Sequence, residues 1–244
     1  MTDRWVSAVR ALLAAAFVLA ACDAVQPSDE PAEEPFTRIL CGGPPAFHPD
    51  VLDQEGAAER GDDPAAATLR AALGGDIDDT LPDTGWIEVT RTESMVKYLA
   101  VGGQGPGLAI VRARLRNGQW TVDGAGRCEL LPEIRAGLRL AMFRLAPGQQ
   151  LTPEMTEVEV LVTELACNSG QDARGRVRVE RIIPGDSSVI VVMATAPRDD
   201  AQACPDNPET PFLLELPEPL GDRALLDGYS IPPRDATECH RFAC

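Results

Sequence analysis

Residues 176–196 read RVRVERIIPGDSSVIVVMATA. Two runs rich in β-branched residues flank Pro184-Gly185-Asp186, and that triplet is turn chemistry. The stretch predicts two strands, over 176–183 and 187–196, paired antiparallel. VIVVMATA lacks polar alternation, which marks a central strand buried on both faces. Working outward, residues 138–145 give another strand, as do 157–165, where Val158, Val160 and Val162 keep period-2 register. Residues 212–216 add a fifth. Short strands punctuated by Pro and Gly predict a β-sandwich-like module over 132–236.

The preceding segment, 37–131, predicts an α+β module. PAAATLRAAL at 64–73 combines strong helix formers with acidic residues before it and Gly74-Gly75 after it, a short helix with a defined stop. Strands follow at 86–92 and 95–101, then at 108–115 and 120–122. The last two are joined through Asn117-Gly118, the strongest short hairpin signal. A helix on a four-stranded antiparallel sheet is expected. The modules share no sequence repeat, and the fold class is mainly β, stapled by disulfides.

The chain has 244 residues, a net charge of −16 and 44% hydrophobic residues, composition suited to a folded core. Such an acid excess argues against nucleic acid as a partner, because backbone binding needs a positive stripe. Basic Arg4 and Arg10 precede an unbroken apolar run at 11–21, ALLAAAFVLAA. As a helix it rises about 16 Å, half a hydrocarbon core, which fits a secretory h-region and not a spanning helix. Leu19-Ala20-Ala21-Cys22 resembles the bacterial lipobox. That resemblance implies that residues 1–21 are a lipoprotein signal peptide and that Cys22, acylated, becomes the mature N-terminus. Several acyl chains hold a protein stably where one does not. The weighed alternative is ordinary cleavage with Cys22 as a plain thiol. Residues 22–36 follow with five carboxylates, three prolines and no base, an extended, self-repelling tether. The expected location is the extracytoplasmic face of the membrane.

Beyond Cys22 six cysteines remain: Cys41, Cys128, Cys167, Cys204, Cys239 and Cys244. An even count outside the cytoplasm reads as disulfides, with several connectivities open. Chain order suggests Cys41–Cys128, Cys167–Cys204 and Cys239–Cys244, the last closing a tail over 237–244. A zinc site on Cys239, His240 and Cys244 fits no usual finger spacing.

Several side-chain groups invite a functional reading. Arg112, Arg114 and Arg116 share one strand face, and Arg176 and Arg178 repeat the arrangement. They could form a guanidinium face for an anionic ligand, or a solvated face paired with carboxylates; the abundance of carboxylates favours the second. Asp76, Asp78, Asp79 and Asp83 lie in one acidic loop, but Leu81 and Ile87 occupy the places where a calcium loop has Gly and Glu. A solvated loop fits better. No metal or cofactor is expected. The sequence contains no Gly-x-Ser-x-Gly, His-Glu-x-x-His or phosphate-loop motif, and only two histidines, His48 and His240.

Cys167-Asn168-Ser169-Gly170-Gln171, Cys204-Pro205-Asp206-Asn207-Pro208 and ELPEPLGDRALLDG at 215–228 resemble a pattern in uncharacterised secreted proteins and lipoproteins of high-GC bacteria. The likeness spans about 155–235. Trp86, the Asn117-Gly118-Gln119-Trp120 turn and Gly126-Arg127-Cys128 extend it more loosely into the first module. It implies a Cys167–Cys204 bridge and a secreted β-rich domain, and it brings no catalytic residues with it. Arg223 could lock the last strand against carboxylates or carbonyls. Alternatively, Gln171, Asn207, Asp222 and Arg223 meet as a recognition loop at one end of the sandwich. The function expected is a non-enzymatic binding or bracing lipoprotein, with an envelope protein or polymer as partner. The rival is a hydrolase using paired carboxylates in a cleft between modules.

Overall fold

In the computed structural model the described residues are 36–74, 80–103, 107–199 and 202–238. Cys22, Asp76, Asp78, Asp79, Cys239, His240 and Cys244 lie outside them. In chain order the elements are β1 (Ile39–Leu40), α1 (Pro64–Leu73), β2 (Trp86–Arg91), β3 (Met95–Ala100), β4 (Leu108–Arg116) and β5 (Gln119–Cys128). Then come β6 (Leu131–Pro132), β7 (Arg139–Leu145), β8 (Glu157–Glu164), β9 (Val177–Pro184) and β10 (Ser188–Thr195). The last three are β11 (Thr210–Glu215), β12 (Ala224–Asp227) and β13 (Arg234–Asp235). The chain is mainly β, as its patterning predicts.

Helix α1 starts where Asp63 accepts hydrogen bonds from the N–H groups of Ala65 and Ala66, with Pro64 at the first helical position. Its buried side, including Ala65, Leu69 and Ala72, packs on Trp86, Tyr98 and Val111 of the antiparallel sheet β2-β3-β4-β5. At the β4–β5 turn Asn117 and Gly118 have φ of 52° and 77°, the left-handed pair that a tight hairpin requires. Strand β5 runs well past 122. Its continuation, Asp-Gly-Ala-Gly-Arg-Cys, has poor strand propensity, but the ladder with β4 resumes beyond a bulge at Arg112/Ala113, and the Cys41–Cys128 bridge ties its end to the segment after β1.

In the second module β7 to β13 belong to one hydrogen-bonded sheet, in the order β11-β8-β7-β10-β12-β13 with β9 on the other side of β10. That sheet closes on its own apolar face around Phe143, Val160, Val177, Val191 and Leu225, so one branched sheet encloses the sandwich-like core. Strand β10 is the branch point. Ser188 to Val191 pair parallel with β12, and Met193 to Thr195 pair antiparallel with β7 along the same edge. The run VIVVMATA is indeed central: Val189, Val191 and Met193 face the module core, while Ile190 and Val192 face a third apolar cluster. That cluster joins the modules. It gathers Phe36, Ile39 and Phe47 with Leu99 and Ile110 of the four-stranded sheet and Val192 of β10. Two disulfides, Cys41–Cys128 and Cys167–Cys204, staple the fold.

Candidate functional site

The arginines of the expected anionic-ligand face are engaged within the chain. Arg112 donates to the Gly42 carbonyl at 3.1 Å and lies over Gly124, where a Cβ would come within 2.7 Å of its guanidinium. Arg114 and Arg116 both bind Asp123, at 3.0 and 2.5 Å. Desolvation works to raise that carboxyl, but Arg114, Arg116 and Arg112 override it and hold it below the usual carboxylate range. Arg178 donates to the carbonyls of Gly175 and Val177. Arg176 belongs to a different cluster on a different sheet, so the five do not make one face.

Arg176 forks onto Glu164 with contacts of 2.7 and 2.6 Å. Glu164 is buried and also accepts from Asn168 and from the Thr195 hydroxyl. Burial pushes its carboxyl up, yet these donors, Arg176 foremost, bring it below its ordinary value. Asn207 donates to the carbonyls of Glu164 and Ala166, and the Gln171 side chain accepts from Arg198 at 2.7 Å. The Cys167–Cys204 loops are thereby tied to the end of β8. Beside them an open depression of about 410 Å³ is lined by Arg176, Pro197, Arg198 and Asp199.

Asp222 and Arg223 sit elsewhere. Arg223 donates to the carbonyls of Leu220 and Pro219 and to Glu218, and the same loop bonds to Pro153 and Met155 ahead of β8. Asp222 is exposed. Gln171 and Asn207 thus lie by the last residue of β8 and Arg223 beyond its first. Eight residues of strand span about 23 Å, so the four expected loop residues do not converge. The antiparallel pairing of β8 with β11 places the two loops at opposite ends. Of the acidic loop, Asp83 is described, and it is exposed just before β2. Between the modules, where the rival expectation put a carboxylate pair, lies the third apolar cluster, which leaves that expectation untested.

Several buried ionisable groups escaped the sequence reading, Lys97 and Asp227 among them. Lys97, the only lysine of the chain, is fully buried on β3. Its ammonium donates to the carbonyls of Gly43, at 2.5 Å, and Pro45, at 3.1 Å. Burial, helped by the charge of Arg112, lowers its pKa to about 8. Asp227, also fully buried, caps the break in the branched sheet. Its carboxylate accepts from the N–H groups of Phe143, where β7 departs from the β12 side of β10, and of Tyr229. Burial raises it to about 7, against the pull of those donors and of Arg234. Both groups are sealed inside and brace the fold.

What faces outward is the surface of β8 and β11. Val158, Val160 and Val162 point inward, so Glu157, Glu159 and Leu161 point out. Across the register Pro211 opposes Leu161, Leu213 opposes Glu159 and Glu215 opposes Glu157. A groove of about 240 Å³ runs here, lined by Ala146, Glu159, Leu161, Pro211 and Leu213 among others. Leu213 is 48% exposed. The alternation EVEVLV already announces the outward Glu157 and Glu159. Their pairing with a strand fifty residues on was not legible. Comparison with protein-family models, curated proteins and solved structures finds no match to the chain.

Proposed function

We propose that the protein is a lipid-anchored extracytoplasmic lipoprotein whose folded part is a non-enzymatic binding module for another component of the cell envelope. The observation that carries the anchor is the apolar run 11–21 ending in Leu19-Ala20-Ala21-Cys22. The two disulfides support the compartment, since such bonds persist outside the reducing cytosol. The resemblance of 215–228 to secreted proteins and lipoproteins points the same way. A binding role rests on how the charged side chains are spent. Arg114, Arg116, Arg176 and Arg223 brace the chain internally, whereas the groove beside Leu213 is open. Replacement Cys22→Ser, or treatment with a globomycin-type inhibitor of lipoprotein signal peptidase, tests the anchor. Loss of incorporated fatty acid and of membrane retention in the variant is the expected result. Unchanged retention in Cys22→Ser overturns it.

A further inference from the structure

We infer that the free edge of β11 receives an extended basic-and-apolar peptide segment of a partner protein, added to the sheet as a further strand. The inference deepens the binding-module reading and rests on it.

Among the described residues strand β11 ends the sheet order and pairs with β8 alone. Its orientation follows from neighbouring bonds. Leu216 donates to the Thr156 carbonyl, and Ala146, on the far side of β8, donates to that of Glu159. Backbone groups alternate sides along a strand, so residues 210, 212 and 214 are turned toward β8. Leu213 and Glu215 therefore present N–H and C=O to the open edge, and Pro211 presents C=O alone. Among the described residues no backbone partner meets them. Main-chain pairing along such an edge supplies affinity, and pockets for alternate side chains supply selectivity.

The side chains define the guest. An added strand lies about 4.8 Å from β11, with every second residue on the same face as Leu213 and Glu215. Opposite Leu213 and Pro211 the guest meets those two apolar side chains, with the groove on their β8 side. Opposite Glu215 the field is negative, because Glu215 faces Glu157 across the ladder and Glu159 is two positions along. None of these three carboxylates has an ionic partner among the described residues. Like charges placed directly across a ladder are unfavourable, and a guest cation relieves them. The segment that fits is Arg or Lys beside Glu215, followed at two-residue steps by Leu or Val. A second copy of this chain, itself at −16, would bring further carboxylates to the same edge.

The test uses the full-length protein in nonionic detergent and a fluorescent peptide of about nine residues, alternating Thr with Arg, Leu and Val. Its control carries Glu in place of Arg. Saturable binding of the basic peptide about tenfold tighter than the control, weakened by ~0.5 M salt, is expected. The pair Glu157→Arg with Glu215→Arg should reverse that preference while leaving the melting temperature within a few degrees. Leu213→Pro, which removes the edge N–H, should cost about tenfold or more. Equal affinity for the two peptides, no saturable binding up to about 1 mM, or binding unchanged in the variants overturns the inference. Self-association through this edge, seen by sedimentation and lost in Leu213→Pro, would also overturn it in favour of a second copy. None of these readouts depends on acylation, so the anchor and the docking edge fail separately.

Discussion

Lys97 offers a sharp perturbation because its signal cannot be confused with that of another lysine. Its ammonium is fully buried against the carbonyls of Gly43 and Pro45, and burial lowers its pKa from 10.5 to about 8. A lysine depressed in the fold holds its proton more weakly there than in the unfolded chain. Between about pH 8 and 10.5 the unfolded state is thus the more protonated, and stability from this group rises with pH. The full gain is about 3 kcal/mol at 1.36 kcal/mol per pKa unit. Lys97→Met lacks this term, so the melting temperature of the wild type, measured against Lys97→Met, should climb by roughly 10 °C across that window. Taking the difference cancels other titrating groups, including Tyr98, whose pKa is raised to about 12 chiefly by burial. Labelling with 13Cε-lysine gives a single resonance whose chemical shift should titrate near 8. A midpoint near 10.5, with a difference between the two melting curves that is flat in pH, would refute the buried cradle.

Asp227, raised to about 7, favours the folded state most below its ordinary 3.8, and that contribution is lost as pH rises through 7. Asp227→Asn should therefore gain about 4 kcal/mol relative to the wild type between pH 4 and 8, read by urea unfolding at each pH; a constant offset would contradict this. Glu164→Ala leaves the Arg176 guanidinium without its carboxylate partner and should cost about 3 kcal/mol, whereas Glu133→Ala at the exposed Arg38 pair should cost under about 1 kcal/mol. Equal losses would mean that Glu164 is solvated. Replacing Cys167 and Cys204 together by Ser opens a link across 37 residues and should lower unfolding stability by up to about 4 kcal/mol; an unchanged urea midpoint would show that the bridge adds nothing.

Local chemistry made α1 readable to its ends, because Asp63, Pro64 and Gly74 act within the helix and its caps. The hairpins at Asn117-Gly118 and Pro184-Gly185 were legible for the same reason. Strands β1, β6, β12 and β13 were not. Each has two to four residues, and each is fixed by partners far along the chain. The parallel pairing of Ala224–Asp227 with β10 leaves no local trace. Gly228 bears its mark: a Cβ there would meet Ile190 at 2.8 Å and Val192 at 2.9 Å. At the site, alternation alone turns Glu157 and Glu159 outward. Their meeting with Glu215 and Leu213 depends on register, which one strand cannot reveal. The expected cluster of Gln171, Asn207, Asp222 and Arg223 separated for the same topological reason. Lys97 did carry a signal, since Met95 and Leu99 flank it on one strand face, both apolar.

The central claim is that this chain is exported and held at the membrane by Cys22, with its later cysteines oxidised. Its most direct test is mass mapping, without reduction, of the native protein extracted from membranes. A chain beginning at acylated Cys22 and carrying Cys41–Cys128 and Cys167–Cys204 as disulfides is the result predicted. A chain beginning at Met1, recovered from the soluble cytosolic fraction with free thiols at those four positions, would contradict it.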